Sequence, residues 1–190
     1  MEEMKKLSIY ITEKFVLNSK VKRNVYVPKT KEKLIEAIIE VIKNSKKKKD
    51  VDLNGIDVSE IEDMSSVFST VKKQQQIYKI DISSWDVSKV KTMKNMFTGC
   101  KYLETDVSMW DVSNVENMGG MFFGCSRFNS DLKDWKIEKC KEFQAMFAGC
   151  EKLNCDLSSW DLTNIDRTHK NWMMNNCYSM KDGQYPKGIK

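Results

Sequence analysis

The apolar positions of this chain follow a pattern that changes period inside each block and then begins again. Trp85, Trp110, Trp135 and Trp160 stand 25 residues apart, and Phe97, Phe122 and Phe147 keep the same step. An earlier block, "LNGIDVSEIEDMSSVF", puts Ile56 in the tryptophan place, 29 residues upstream of Trp85, because "VKKQQQIYK" lengthens the connection. Each block opens with apolar residues spaced three and then two apart: Leu53, Ile56 and Val58 in the first, Ile82, Trp85 and Val87 in the second, Val107, Trp110 and Val112 in the third. Leu132, Trp135 and Ile137, then Leu157, Trp160 and Leu162, continue the series, which predicts a short extended segment in each block. Val115, Met118, Met121 and Phe122 follow with steps of three, three and one, a spacing that suits one face of a short helix. Gly99, Gly124 and Gly149 come just after, where a helix calls for a residue of positive φ. Stacking five such units would bury one continuous core of Trp, Val, Met and Phe.

The L-x-x-L-x-L spacing of the opening segments is that of a leucine-rich-repeat strand. "WDVSNVENMGGMF" and its relatives "WDVSKVKTMKNMF" and "FNSDLKDWKIEKCKEFQAMF" resemble the BspA-type leucine-rich repeat, the W-D-V-S-x-V-x-x-M-x-x-M-F unit of many bacterial surface proteins and of signal-less proteins of phages and other mobile elements. The resemblance implies an α/β fold, a leucine-rich-repeat-like solenoid of about five 25-residue strand–helix units over residues 51–177, with a helical N-terminal cap over residues 1–50 and a tail over 178–190. Within the repeat, the Asn expected nine places into a leucine-rich unit is replaced by Ile61, Val90, Val115, Cys140 and Ile165.

Both ends differ from the middle. "YVPKTKEKLIEAIIEVIKNSK" reads as a turn at Pro28, an N-cap at Thr30 and a helix with Leu34, Ile35, Ile38, Ile39 and Ile42 on one face, suited to covering the first unit. In the fifth unit "DRTHKNWMMNNC" runs two residues long before reaching Cys177. A terminal unit must face water on one side, which accounts for such drift.

Charge sharpens this division. Residues 1–50 carry 14 Lys+Arg against 7 Asp+Glu, and residues 51–190 carry 18 against 20, so the net +5 is N-terminal in origin. The opening "MEEMKKLSIYITEKFVLNSK" offers only a brief apolar run, too short for a signal core or a membrane span, and a cytoplasmic protein is expected. Three of the six cysteines, Cys100, Cys125 and Cys150, recur at one repeat position, and no C-x-x-C occurs. Buried reduced thiols are therefore expected rather than a disulfide framework or a zinc site.

Candidate chemistry is sparse. No phosphate-binding glycine loop, nucleophile elbow or paired-histidine motif is present. The single His169 would need an orienting partner and a nucleophile to act as a base, so no catalytic residue, metal or cofactor is expected. Asp57, Asp86, Asp111 and Asp161 follow the tryptophan position and form an acidic row broken by Lys136, while Asp81, Asp106, Asp131 and Asp156 form a second. Two readings are open for the first row: a docking face for a basic partner, or carboxylates that cap turns by accepting backbone N–H bonds. "KNSKKKKD" places Lys46, Lys47, Lys48 and Lys49 together, either as a solvated linker or as a contact for RNA phosphates.

These features predict a non-catalytic intracellular protein-binding module whose partner is a protein or ribonucleoprotein, with RNA contact through the lysine run and no membrane. By resemblance to the phage and mobile-element proteins, the partner would be a host defence complex, which makes the chain an inhibitor of the anti-CRISPR kind acting on a nucleic-acid-guided nuclease. A bacterial surface adhesin and a sequence-independent RNA-binding protein are the alternatives.

Overall fold

A computed structural model describes residues 26–46, 50–72 and 78–189. The first helix among the described residues is α1, Lys31–Asn44, where the Thr30 side chain accepts the Lys33 N–H at 3.3 Å, as the sequence predicts. Leu34, Ala37, Ile38, Ile39, Val41 and Ile42 bury its inner face. Lys31 fixes the helix to the first block through Asp63 at 2.6 Å and Ser65 at 2.9 Å. Two three-residue strands follow, β1 at Asp50–Asp52 and β2 at Lys79–Asp81, paired in parallel with Asp50 opposite Lys79. Helix α2, Val67–Val71, lies between them, and helix α3, Arg167–Lys170, comes near the end.

The expected leucine-rich-repeat-like solenoid of strand–helix units is therefore not the fold. Between β2 and α3 the described residues contain no regular helix or strand longer than an isolated bridge, and the L-x-x-L-x-L segments are turns. The Trp85, Trp110, Trp135 and Trp160 N–H groups each donate to the carbonyl three residues earlier, at 3.0 to 3.2 Å. The Met and Phe segments turn the same way, with Met96 N–H on Met93, Thr98 on Asn95 and Cys100 on Phe97. A step of three fits a succession of i to i+3 turns as well as it fits a helix face. What decides between them is a left-handed residue in each block, Ser66, Asn95, Gly120, Ala145 or Trp172, at which an α-helix cannot continue.

The N–H groups that a helix would have used internally are spent between blocks instead. Met93, Asn95, Phe97 and Gly99 donate to the carbonyls of Asn117, Gly119, Met121 and Phe123, and Met118, Gly120, Phe122 and Gly124 repeat the pattern one block on, at 2.6 to 2.9 Å. Side chains then stack in register. Ring centroids are 5.4 Å apart for Phe97–Phe122 and 5.8 Å for Phe122–Phe147, and 6.5 Å for Trp85–Trp110. The indole N–H groups of Trp85, Trp110 and Trp135 donate back to Leu53, Ile82 and Val107, whereas that of Trp160 is buried without an acceptor. Each buried phenylalanine contributes about 1.5–3 kcal/mol, so the aromatic rows carry much of the stability.

The six cysteines are free and buried. Four of them point back at the carbonyl of the preceding block: Cys100 at Phe68, Cys125 at Phe97, Cys150 at Phe122 and Cys177 at Phe147. Burial pushes the Cys100 and Cys140 thiols up to about 12.

Short segments cover part of each end. Asp57 N–H donates to Tyr26 at 2.8 Å, and the chain at residues 184–187 lies along the last block, with Leu157 N–H on Gln184, Leu162 N–H on Lys187, and Lys187 N–H on Trp160. A Cβ on Gly188 would lie 2.8 Å from the Thr163 Cα, so only glycine allows this approach.

Candidate interaction face

The turns that replace strands place the aspartates by a repeated local rule. In each, the carboxylate accepts the backbone N–H two residues on: Asp86 from Ser88, Asp111 from Ser113 and Asp161 from Thr163, all at 3.0 Å. The second row does the same, with Asp81 on Ser83 at 3.1 Å, Asp106 on Ser108 at 2.9 Å and Asp131 on Lys133 at 3.1 Å. These are Asx turns, in which an aspartate stands in for a backbone carbonyl.

The bonds leave an electrostatic mark. Ser88 holds Asp86 below the usual carboxylate range, and Ser113 does so for Asp111, helped by the nearby charges of Lys136 and Lys139. Hydrogen bonds from Asn54 and Ser83 lower Asp81, and those from Ser108 lower Asp106. All of these groups carry full negative charge at neutral pH. Each cap bond uses one carboxylate oxygen, so the turn-cap reading and an acidic face are compatible.

Of the residues selected from sequence, Asp86, Asp111, Lys136 and Asp161 are each exposed, and Asp111 lies within electrostatic reach of both Asp86 and Lys136. Lys136 offers no acceptor oxygen, so its turn lacks the cap that the other members of the row have. Lys46 is exposed just beyond α1, and Lys47, Lys48 and Lys49 lie outside the described residues.

The second row lines a groove. A depression of about 540 Å³ is lined by Asp50, Lys79, Asp81, Glu104, Asp106 and Asp131, with Ser and Thr side chains between them. Its floor is fixed by Ser130, whose hydroxyl donates to Asp106 at 3.1 Å and accepts the Val107 N–H at 3.2 Å. Asp50, Lys79 and Glu104 were not singled out from the sequence. The parallel pairing of β1 with β2 and the Lys79 to Glu104 bridge bring them together, and no local motif signals either.

His169 has the orienting partner that the sequence did not identify, since its Nδ1 lies 2.5 Å from Glu142. The pair spans adjacent blocks, like Lys89–Glu60 and Lys91–Glu62, both at 2.7 Å. Exposed pairs of this type contribute about 0–1 kcal/mol each and serve mainly to fix register. Among the described residues no cluster of three or more His, Cys, Asp or Glu side chains is arranged to hold a metal ion, and no helix is long and apolar enough to cross a membrane.

The architecture defines a repeat protein whose blocks are joined through turns, with charged rows on its exposed faces. Residues 71–184 match the family described as "Mycoplasma protein of unknown function, DUF285", and the chain belongs to that family. No curated protein and no solved structure matches it.

Proposed function

We propose that this chain is a non-catalytic protein-binding module that acts by occupying a basic macromolecular partner. The observation that carries the reading is the acidic groove between Asp50 and Asp131, held open by turns whose cap bonds leave carboxylate charge facing water. Opposed charge across such a surface speeds encounter and fixes orientation. The resemblance to signal-less BspA-type proteins of phages and mobile elements extends the proposal to a cytoplasmic inhibitor of a host defence complex, with the basic channels of a nucleic-acid-guided nuclease as the target. Lys46 and the run that follows it would touch that partner's RNA.

The test separates charge from architecture. An asparagine keeps the side-chain carbonyl that caps an Asx turn but removes the charge. The triple variant Asp81→Asn, Asp106→Asn, Asp131→Asn should therefore stay folded, with a melting temperature lowered only by the lost charge, and lose the protein partner recovered by affinity capture from nuclease-treated lysate. Undiminished capture by this variant would refute the groove. Recovery of nucleic acid alone, lost at moderate salt and abolished by replacing Lys46 to Lys49 with Ala, would assign function to the lysine run instead.

A further inference from the structure

The last block is unlike the others at its outward edge. In the blocks before it, N–H groups at alternate positions cross to the next block: Asn95, Phe97 and Gly99 to the third, Gly120, Phe122 and Gly124 to the fourth, Ala145, Phe147 and Gly149 to the fifth. The equivalent groups of the fifth block belong to Trp172, Met174 and Asn176, and none of the three has an acceptor among the described residues. Trp172 and Met174 border a groove of about 810 Å³ between this segment and the chain at 182–189, with Met173 and Met174 on one side and Tyr185 and Ile189 on the other.

Three further observations say what the edge can take. It is a donor edge, because the carbonyls of Asn171, Met173 and Asn175 point backward and already accept from Ala145, Phe147 and Gly149. Two copies placed end to end would set N–H against N–H, and α1, bonded to Asp63 and Ser65, stands in the way of head-to-tail stacking on the first block. Lysines outnumber carboxylates in the groove lining, with Lys170 and Lys187 against Asp182, and Asp161 lies near both lysines. The left-handed position that Asn, Gly or Ala fills in the middle blocks is held by Trp172, at φ 56° and 69% exposed, with Tyr178 74% exposed nearby. A bulky aromatic side chain in that conformation is a local strain of the kind that accompanies function.

We infer that the Trp172–Asn176 edge binds an extended acidic segment of a partner protein, which adds to the edge through its backbone carbonyls and packs an aromatic or apolar side chain against Trp172. This is strand-like augmentation at an unpaired edge, with selectivity supplied by charge and by one apolar anchor. The site lies at the end of the stack and stands whether or not the aspartate groove has a partner.

The probe is the blocked peptide acetyl-Glu-Val-Glu-Phe-Glu-Val-Glu-amide, with its Lys-for-Glu counterpart as control, read by backbone amide exchange on the full chain. The acidic peptide should slow exchange at Trp172, Met174 and Asn176, and the lysine peptide should not. Trp172→Gly keeps the left-handed backbone and should weaken binding on the order of tenfold. The triple aspartate-to-asparagine variant of the groove should bind the peptide unchanged, so that failure of one site is not mistaken for failure of the other. Amides already protected in the free chain, protection that rises with protein concentration alone, or no response at about 1 mM acidic peptide would each overturn the inference.

Discussion

The third block and the fifth are built from the same pattern and have opposite fates. Around Phe122 the apolar side chains are covered on both sides, and four backbone N–H groups find carbonyls in the fourth block. In the fifth block the place of Met118 and Phe143 is taken by Lys170, whose ammonium caps the Leu162 carbonyl at 2.7 Å, the place of Phe122 by Met174, and that of Gly120 by Trp172. The two extra residues before Cys177 fall in the stretch that carries α3. Interior blocks thus pair with a similar block on each side, whereas the outward N–H groups of the fifth have no acceptor among the described residues.

The largest test of that contrast is truncation of one aromatic side chain in each. Phe122→Ala removes a ring stacked on Phe97, Phe128 and Phe147 and should cost about 3–5 kcal/mol in urea unfolding, whereas Trp172→Ala should stay within about 0.5 kcal/mol. Equal losses would erase the distinction between interior and end.

A smaller effect is expected where blocks touch most closely. Gly149 has φ 80°, and a Cβ there would lie 3.3 Å from the Gly124 Cα, so Gly149→Ala should cost about 1–2 kcal/mol. Ala145→Gly, at φ 52°, should go the other way by about 0.5 kcal/mol. Thermal melts of the two variants in opposite directions would confirm that left-handed positions, not helix caps, set the turns.

The aspartate caps come next. Asp111→Ala should lose about 0.5–1.5 kcal/mol with the Ser113 bond, and Lys136→Asp should recover a similar amount in its uncapped turn. Smallest at any one residue is the effect of pH. Asp81, Asp86, Asp106 and Asp111 are held below the ordinary value of about 3.9, so each contributes stability that is present above that pH and is lost as pH falls through its lower folded value. A melting temperature that declines below about pH 4 checks the sign, and one that rises there would contradict the caps.

The repeat, its buried Trp and Phe rows, the Thr30 cap and the positive φ of Gly99, Gly124 and Gly149 were all legible in the sequence. The local path of the chain was not. Steps of three and four mark a helix face, but steps of three also mark successive turns, and only the left-handed residue in each block separates the two. That residue is Ser, Asn, Gly, Ala or Trp, so its shared conformation is hidden by mixed identity. The site was half legible for a related reason. Asp81, Asp106 and Asp131 stood out by period, but Lys79 and Glu104 join them through pairing between blocks that leaves no local trace. Glu142 was missed as the partner of His169 because the two extra residues of the fifth block put them 27 apart, off the repeat step.

The row of thiols gives the molecule an internal clock. Cys100, Cys125, Cys150 and Cys177 sit one to a block at the same depth, each facing the carbonyl of the block before it. A buried protonated thiol is a poor nucleophile, so each reacts with an alkylating reagent only while its own block is open. The order in which the four acquire label, read by mass spectrometry, is therefore the order in which the stack comes apart. The exposed edge at Trp172 makes Cys177 the first expected to report.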